Sequence, residues 1–329
     1  MTTRREILLT VSWGLGLLAF PRPSSAQPAG KIRRIGFLGT GTAAGTAGWL
    51  EAFRDGLRDL GYVEGRNLSI EYRWADGQYE RLPELAAELV RLKVEVLVTH
   101  GTPGTRAAKG ATATIPIVMA SVGDAVLVGL VANLARPGGN ITGSSFFNPE
   151  LAAKRVELIK EALPRLTRAA ALINPDNPGQ GTLLQRMEPT AKSLKLELQV
   201  IEVRGPADFE KAFKTMADRH VGAVVIAEDG MINSNLQAIA SHAGGARLPS
   251  IGMAEFAQSG GLMGYGVSFP EMYRRAAFFV DKILKGTKPG DLPIERATKF
   301  ETILNQKAAK ALGITFPRSV LARADRMIE

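Results

Sequence analysis

Between Val94 and Val126, two apolar runs rich in β-branched residues each end in a loop of hydroxyls and glycines, and each loop leads toward a helical pattern. Val94, Val96, Leu97 and Val98 have the character of a strand buried on both faces, and they stop at Thr99-His100-Gly101-Thr102-Pro103-Gly104-Thr105. Pro103 suits the first turn of a helix and Thr102 the cap before it. Ile115 to Ala120 makes the next strand, and Ser121-Val122-Gly123-Asp124 is expected to cap the next helix. Two neighbouring strands therefore deliver polar loops and free backbone N–H groups to one sheet edge, the edge at which open α/β sheets hold ligands.

The same alternation organises the rest of the chain. Arg33 to Leu38 reads as the first strand, Trp49, Leu50, Phe53, Leu57 and Leu60 as one helix face, Leu68 to Trp74 as the second strand, and Leu82, Leu85, Ala86 and Leu89 as a second helix. Breakers at Ala135-Arg136-Pro137-Gly138-Gly139-Asn140 interrupt it, and strands then recur at Ala169, Leu196, Ala223 and Pro249 with helices between them. Elements after Leu262 exceed what a second lobe needs, so they are expected to cross back. The predicted fold is α/β: two doubly wound parallel-sheet lobes joined by a multi-strand hinge, with crossing strands at Ile141 to Ser145 and Leu262 to Ser268. The expected division is residues 31–144 plus about 268–297 for the N-terminal lobe and 145–267 plus about 298–329 for the C-terminal lobe.

At the N-terminus, Thr3-Arg4-Arg5-Glu6-Ile7-Leu8 resembles a twin-arginine export motif. The apolar run Ile7 to Phe20 falls short of the roughly 20 residues a spanning helix needs. Ser24-Ser25-Ala26 offers the small residues a signal peptidase reads, so residues 1–26 are read as a signal peptide and the mature protein as periplasmic. The formal charge of +9 comes from basic residues scattered among acidic ones, as in Glu51-Ala52-Phe53-Arg54-Asp55, with no basic stripe for nucleic acid. Zero cysteines exclude disulfides, thiolate metal sites and a cysteine nucleophile.

Five segments carry a family resemblance: Leu60-Gly61-Tyr62-Val63-Glu64-Gly65-Arg66-Asn67, Leu82-Pro83-Glu84-Leu85-Ala86, Thr114-Ile115-Pro116-Ile117-Val118, Leu134 to Gly143 and Ala309-Lys310-Ala311-Leu312-Gly313-Ile314. They look like the tryptophan/tyrosine-type solute-binding proteins of ABC transporters. The resemblance implies a type I periplasmic-binding-protein fold that closes by a hinge on a small organic molecule, an amino acid or aromatic carboxylate. It also implies delivery to an ABC permease in the inner membrane. Asp124-Ala125 stands where the family often has Asp-Pro.

Several residues are candidates for ligand contact. Thr40, Gly41 and Thr42 end the first strand in a small-residue loop, and His100 ends the strand at the cleft edge. Thr102, Thr105, Ser121 and Gly123 could hold a carboxylate with hydroxyls and helix N-termini. Asp229 is the first choice for an ammonium and Asp124 the second, each against the alternative of helix capping. Phe146, Phe147 or Tyr265 could stack on an aromatic ligand, and Asn174 opens another loop at a strand end. Gly39 to Ala44 also fits a loose G-x-G-x-x-A fingerprint. A nucleotide site would want an acidic residue about 20 residues on, and the second strand ends later, near Asp76. No G-x-S-x-G elbow and no histidine pair at metal-ligand spacing occurs. The expectation is a monomeric binding protein that is not an enzyme and uses neither cofactor nor metal. The alternatives are a ligand sensor serving a membrane receptor, or an NAD-type enzyme using the Gly39 loop.

Overall fold

The computed structural model describes residues 32–329; the expected signal peptide lies outside the described residues. Among the described residues thirteen strands run in chain order: β1 Arg33–Gly39, β2 Leu68–Trp74, β3 Val96–His100, β4 Ile117–Val122, β5 Ile141–Ser145, β6 Arg168–Ile173 and β7 Glu197–Glu202. β8 Ala223–Ile226, β9 Ser250–Gly252, β10 Met263–Gly266, β11 Glu295–Arg296, β12 Glu301–Asn305 and β13 Arg326–Ile328 complete them. They form two sheets, ordered β11-β5-β4-β3-β1-β2 and β13-β12-β10-β9-β8-β6-β7. The first is parallel throughout, and the second departs only where β10 pairs antiparallel with β12.

The inner strands are buried because helices cover both sheet faces, while the edge strands β2, β7, β11 and β13 stay partly exposed. β3 and β4 are buried along their lengths, as their apolar runs require. In the first sheet, helix Ala47–Asp59 turns Trp49, Leu50, Phe53 and Leu57 inward, and helix Phe269–Leu284 packs beside it. The chain passes between the sheets three times, after β5, after β10 and between β11 and β12. The Ile141-Thr142-Gly143 segment has a steric reason for its glycine: Gly143 takes φ +129°, and a Cβ there would collide with the Met119 backbone.

Two local expectations are corrected. Helix Gly101–Ala111 begins at Gly101 with His100 in the cap position, extended, and no side chain caps it, so Thr102 is not the cap. No helix follows Asp124. Its Oδ1 accepts the N–H groups of Val126 and Leu127 in a tight turn, Gly129 then enters φ +73°, and Leu130 and Val131 both return their N–H groups to the Ala125 carbonyl.

In both sheets strand order reverses at one point, between β1 and β3 in the first and between β6 and β8 in the second. These are the positions where open α/β sheets leave a crevice beyond the strand ends. Thr40 and His100 stand at the first reversal, Asn174 and Asp229 at the second, and the two crevices face each other.

Candidate functional site

A cavity lies between the sheets, lined from the first by His100 to Thr102 and Ser121 to Asp124, and from the second by Asn177, Gly179, Thr182, Glu228 to Gly230 and Asn233. Phe146, Asn148, Pro149 and Phe269, at two of the crossings, close its back. The Phe146 and Phe269 rings meet edge to face at 5.6 Å, and Trp49 stacks on Phe269 at 4.8 Å, so the apolar end is a braced aromatic wall. The space open to the centre of a water molecule is about 40 Å³, room for about three waters.

The β3–β4 register slips between Thr99 and His100, which sets His100 opposite Ser121 at the cavity edge. Thr40 N–H donates to His100 Nε2 at 3.2 Å, so the neutral ring carries its proton on Nδ1. Burial pushes the His100 pKa down to about 4, and the cavity gains no cation from it. The Ser121 hydroxyl has no protein partner.

The acids are committed to different degrees. Asp229 accepts from Asn174 Nδ2, Met231 N–H and Ile232 N–H on Oδ1, and from the Tyr79 hydroxyl and Asn177 Nδ2 on Oδ2. A carboxylate has about four lone-pair sites, so five donors leave none for an ammonium. Capping the short helix Gly230–Asn233 is what Asp229 does. Burial raises its pKa while the donors oppose the rise. Glu228 is paired with Arg155, both shielded from solvent. Asp124 differs: Oδ1 is used by the turn, and Oδ2 has no partner.

Of the sequence candidates, the structure brings His100, Thr102, Ser121, Asp124, Phe146 and Asp229 together around the cavity. Thr40, Gly41 and Thr42 lie at a direct contact between lobes instead, where Thr42 N–H donates to Ser234 Oγ at 3.1 Å. Thr105 spends its hydroxyl on the Gly101 carbonyl, and Asn174 sits behind Asp229. Tyr265 is remote, on β10 against Phe300. Phe147 lies under the Arg296 guanidinium at 4.4 Å. Asn148, Asn177, Thr182, Glu228, Asn233 and Phe269 were not singled out from sequence; Asn177 and Glu228 sit in the visible strand-end loops that open at Asn174 and Glu228, but the others carry no local signal. Among the described residues no cluster of His, Asp and Glu is placed to hold a metal ion.

Residues 46–328 match the family model described as ABC transporter substrate binding protein. The chain is 26% identical over 263 residues to the tyrosine-binding protein of Clostridioides difficile (strain R20291), spanning 80% of this chain and 75% of that one. Among solved structures, a conserved domain protein from Vibrio cholerae superposes with a TM-score of 0.83 at 30% identity, covering 90% of this chain and 100% of the other. An ABC domain from Streptococcus pneumonia in complex with L-Trp superposes with 0.82 at 26% identity, covering 91% and 100%.

Proposed function

The chain belongs to the ABC transporter substrate-binding family, whose members bind small solutes and hand them to ABC permeases, and we propose that its own solute is a small α-amino acid, with an aromatic carboxylate as the nearest alternative. The observation that carries this is the pairing, in one cavity, of an uncapped helix N-terminus at Gly101 with the unpartnered Oδ2 of Asp124. The first offers positive dipole to a carboxylate, the second negative charge to an ammonium. With His100 neutral and Arg155 held by Glu228, no side-chain cation competes for the carboxylate. Thr102 and Ser121 add hydroxyls beside it, and Phe146 and Phe269 give the side chain an apolar wall. The related proteins whose descriptions name a tyrosine and an L-Trp ligand favour the same class.

In this reading residues 31–144 plus about 268–297 form one rigid lobe and 145–267 plus about 298–329 the other, rotating about the crossings. The protein works as a monomer in the periplasm, without catalysis, cofactor or nucleic acid. The twin-arginine route rests on the sequence of residues 1–26 alone. The titratable side chains of the cavity other than Asp124 are each engaged in holding the protein together, which suits binding better than turnover.

Calorimetry with L-tryptophan and L-tyrosine, beside tryptamine and indole-3-propionate, tests the zwitterion. Loss of binding by both truncated analogues, and a drop of about 10- to 100-fold for Asp124→Asn, is expected. The Asn variant keeps the Oδ1 turn bonds, so its fold is spared. Unchanged affinity of Asp124→Asn for a bound amino acid would refute the ammonium assignment.

A further inference from the structure

The lobes also touch directly beside the cavity, through residues of which Asp229 and Gly230 line it as well. Tyr79, just beyond β2, reaches across to the second lobe: its hydroxyl donates to Asp229 Oδ2 at 2.7 Å and accepts the Met231 N–H at 3.1 Å. Thr42 N–H reaches Ser234 Oγ beside it. Around these bonds the backbones are too close for side chains. A Cβ on Gly41 would overlap Ser234 Oγ and stand 2.6 Å from the Gly230 carbonyl, one on Gly45 would come 2.5 Å from Ser234 Cα, and one on Gly77 would come 2.8 Å from Met231 Cγ.

We infer that Tyr79 is a positioning residue of the cleft: it holds the Asp229–Asn233 wall against the first lobe, so the closed arrangement is populated by the chain's own contacts, whatever the solute. The close approach at Gly41 and Gly45 explains why the loop after β1 is so poor in side chains, and Gly77 does the same after β2. The loop after β1 is shaped for another piece of backbone, where a ligand loop would present polar groups. Tyr79 itself does not line the cavity. Its ring belongs to the same first-lobe core cluster as Leu82 and Leu38, so removing the hydroxyl alone leaves that lobe intact. Once the lobes part, water takes over both ends of the Tyr79–Asp229 bond, and its net worth is that of one hydrogen bond to a charged group, about tenfold in the closing equilibrium.

The inference assumes the two-lobed binding protein, and its test uses no solute, so it fails or succeeds separately from the solute assignment. The chain has no cysteines; Glu84→Cys and Lys214→Cys, both exposed and one on each lobe, accept a fluorophore pair cleanly. Single-molecule energy transfer on the protein alone should show a short-distance population that falls about tenfold relative to the long-distance one in Tyr79→Phe. Gly41→Ala, whose backbone is not in the left-handed region, should fold normally and lose that population outright. Identical distributions in the parent and Tyr79→Phe proteins, or a parent with no short-distance population, would overturn the inference.

Discussion

Arg155 and Glu228 form a two-pronged ion pair beneath the cleft, with Nη1 2.9 Å from Oε2 and Nη2 2.5 Å from Oε1, and neither side chain reaches solvent. Arg155 Nε donates to the Tyr265 carbonyl, and Gln180 Nε2 donates to the Glu228 carbonyl. One guanidinium thus ties helix Asn148–Ala162 to β10 and to the loop after β8. The second-lobe wall of the cavity stands on that pair.

Breaking it from one side should be costly. Arg155→Met leaves a buried carboxylate without a partner, and urea unfolding should register a loss of about 3–5 kcal/mol. Adding Glu228→Gln should recover a large part of that loss. A double variant as unstable as the single one would show that packing, and not the stranded charge, sets the cost.

His100 gives the protein an acid-side weakness. Its pKa is about 4 in the folded protein and about 6.5 unfolded. Below pH 6.5 the unfolded chain takes up the proton first, so stability falls as pH drops from 6.5 to 4, by on the order of 3 kcal/mol at the lower end. Comparing urea midpoints of the parent and His100→Gln proteins across that range should show the difference between them shrinking toward acid. A pH-independent difference would mean that His100 titrates normally.

Glu255 acts with the opposite sign. Its Oε1 accepts the Phe269 N–H, the first of the long hinge-side helix, while Oε2 is buried without a partner. Burial, with Glu228 and Glu301 nearby, raises its pKa to about 7. The unfolded carboxyl ionises first, so stability is lost as pH rises from about 4.5 through 7. Glu255→Gln should match the parent near pH 4.5 and exceed it at pH 8 by on the order of 3 kcal/mol. Equal stability at both pH values would contradict the shift.

What was legible in the sequence follows the range of the interactions. Strand runs such as Val96 to Thr99 and Ile117 to Ala120 are local signals, and they led to the parallel sheets and to His100, Thr102, Ser121 and Asp124 at one edge. Asp229 was ambiguous between cap and ammonium partner because its deciding neighbour, Tyr79, is 150 residues away in the chain. The Gly39 to Gly45 loop looked like a ligand loop for a similar reason: Gly41 and Gly45 make room for the other lobe around Gly230 and Ser234, and Gly39 makes room for the Trp74 ring, 35 residues on in the chain. The helix expected after Asp124 begins as a capped turn, with Asp124 Oδ1 taking the Val126 and Leu127 N–H groups as Asp229 does for its helix, and Gly129 at φ +73° stops it there.

Capture of an amino acid by the cleft can be read in a thermal-shift screen across amino acids, aromatic acids, neutral sugars, nucleosides and NAD. A solute at 100 times its dissociation constant stabilises the folded state by about 2.7 kcal/mol, a rise of several degrees in melting temperature. The account predicts that the rise comes from one or a few α-amino acids or aromatic carboxylates, and that Asp124→Asn abolishes it for the amino acids. A rise confined to neutral sugars or nucleosides would contradict the account, and one given by NAD alone would point to the nucleotide reading of the Gly39 loop.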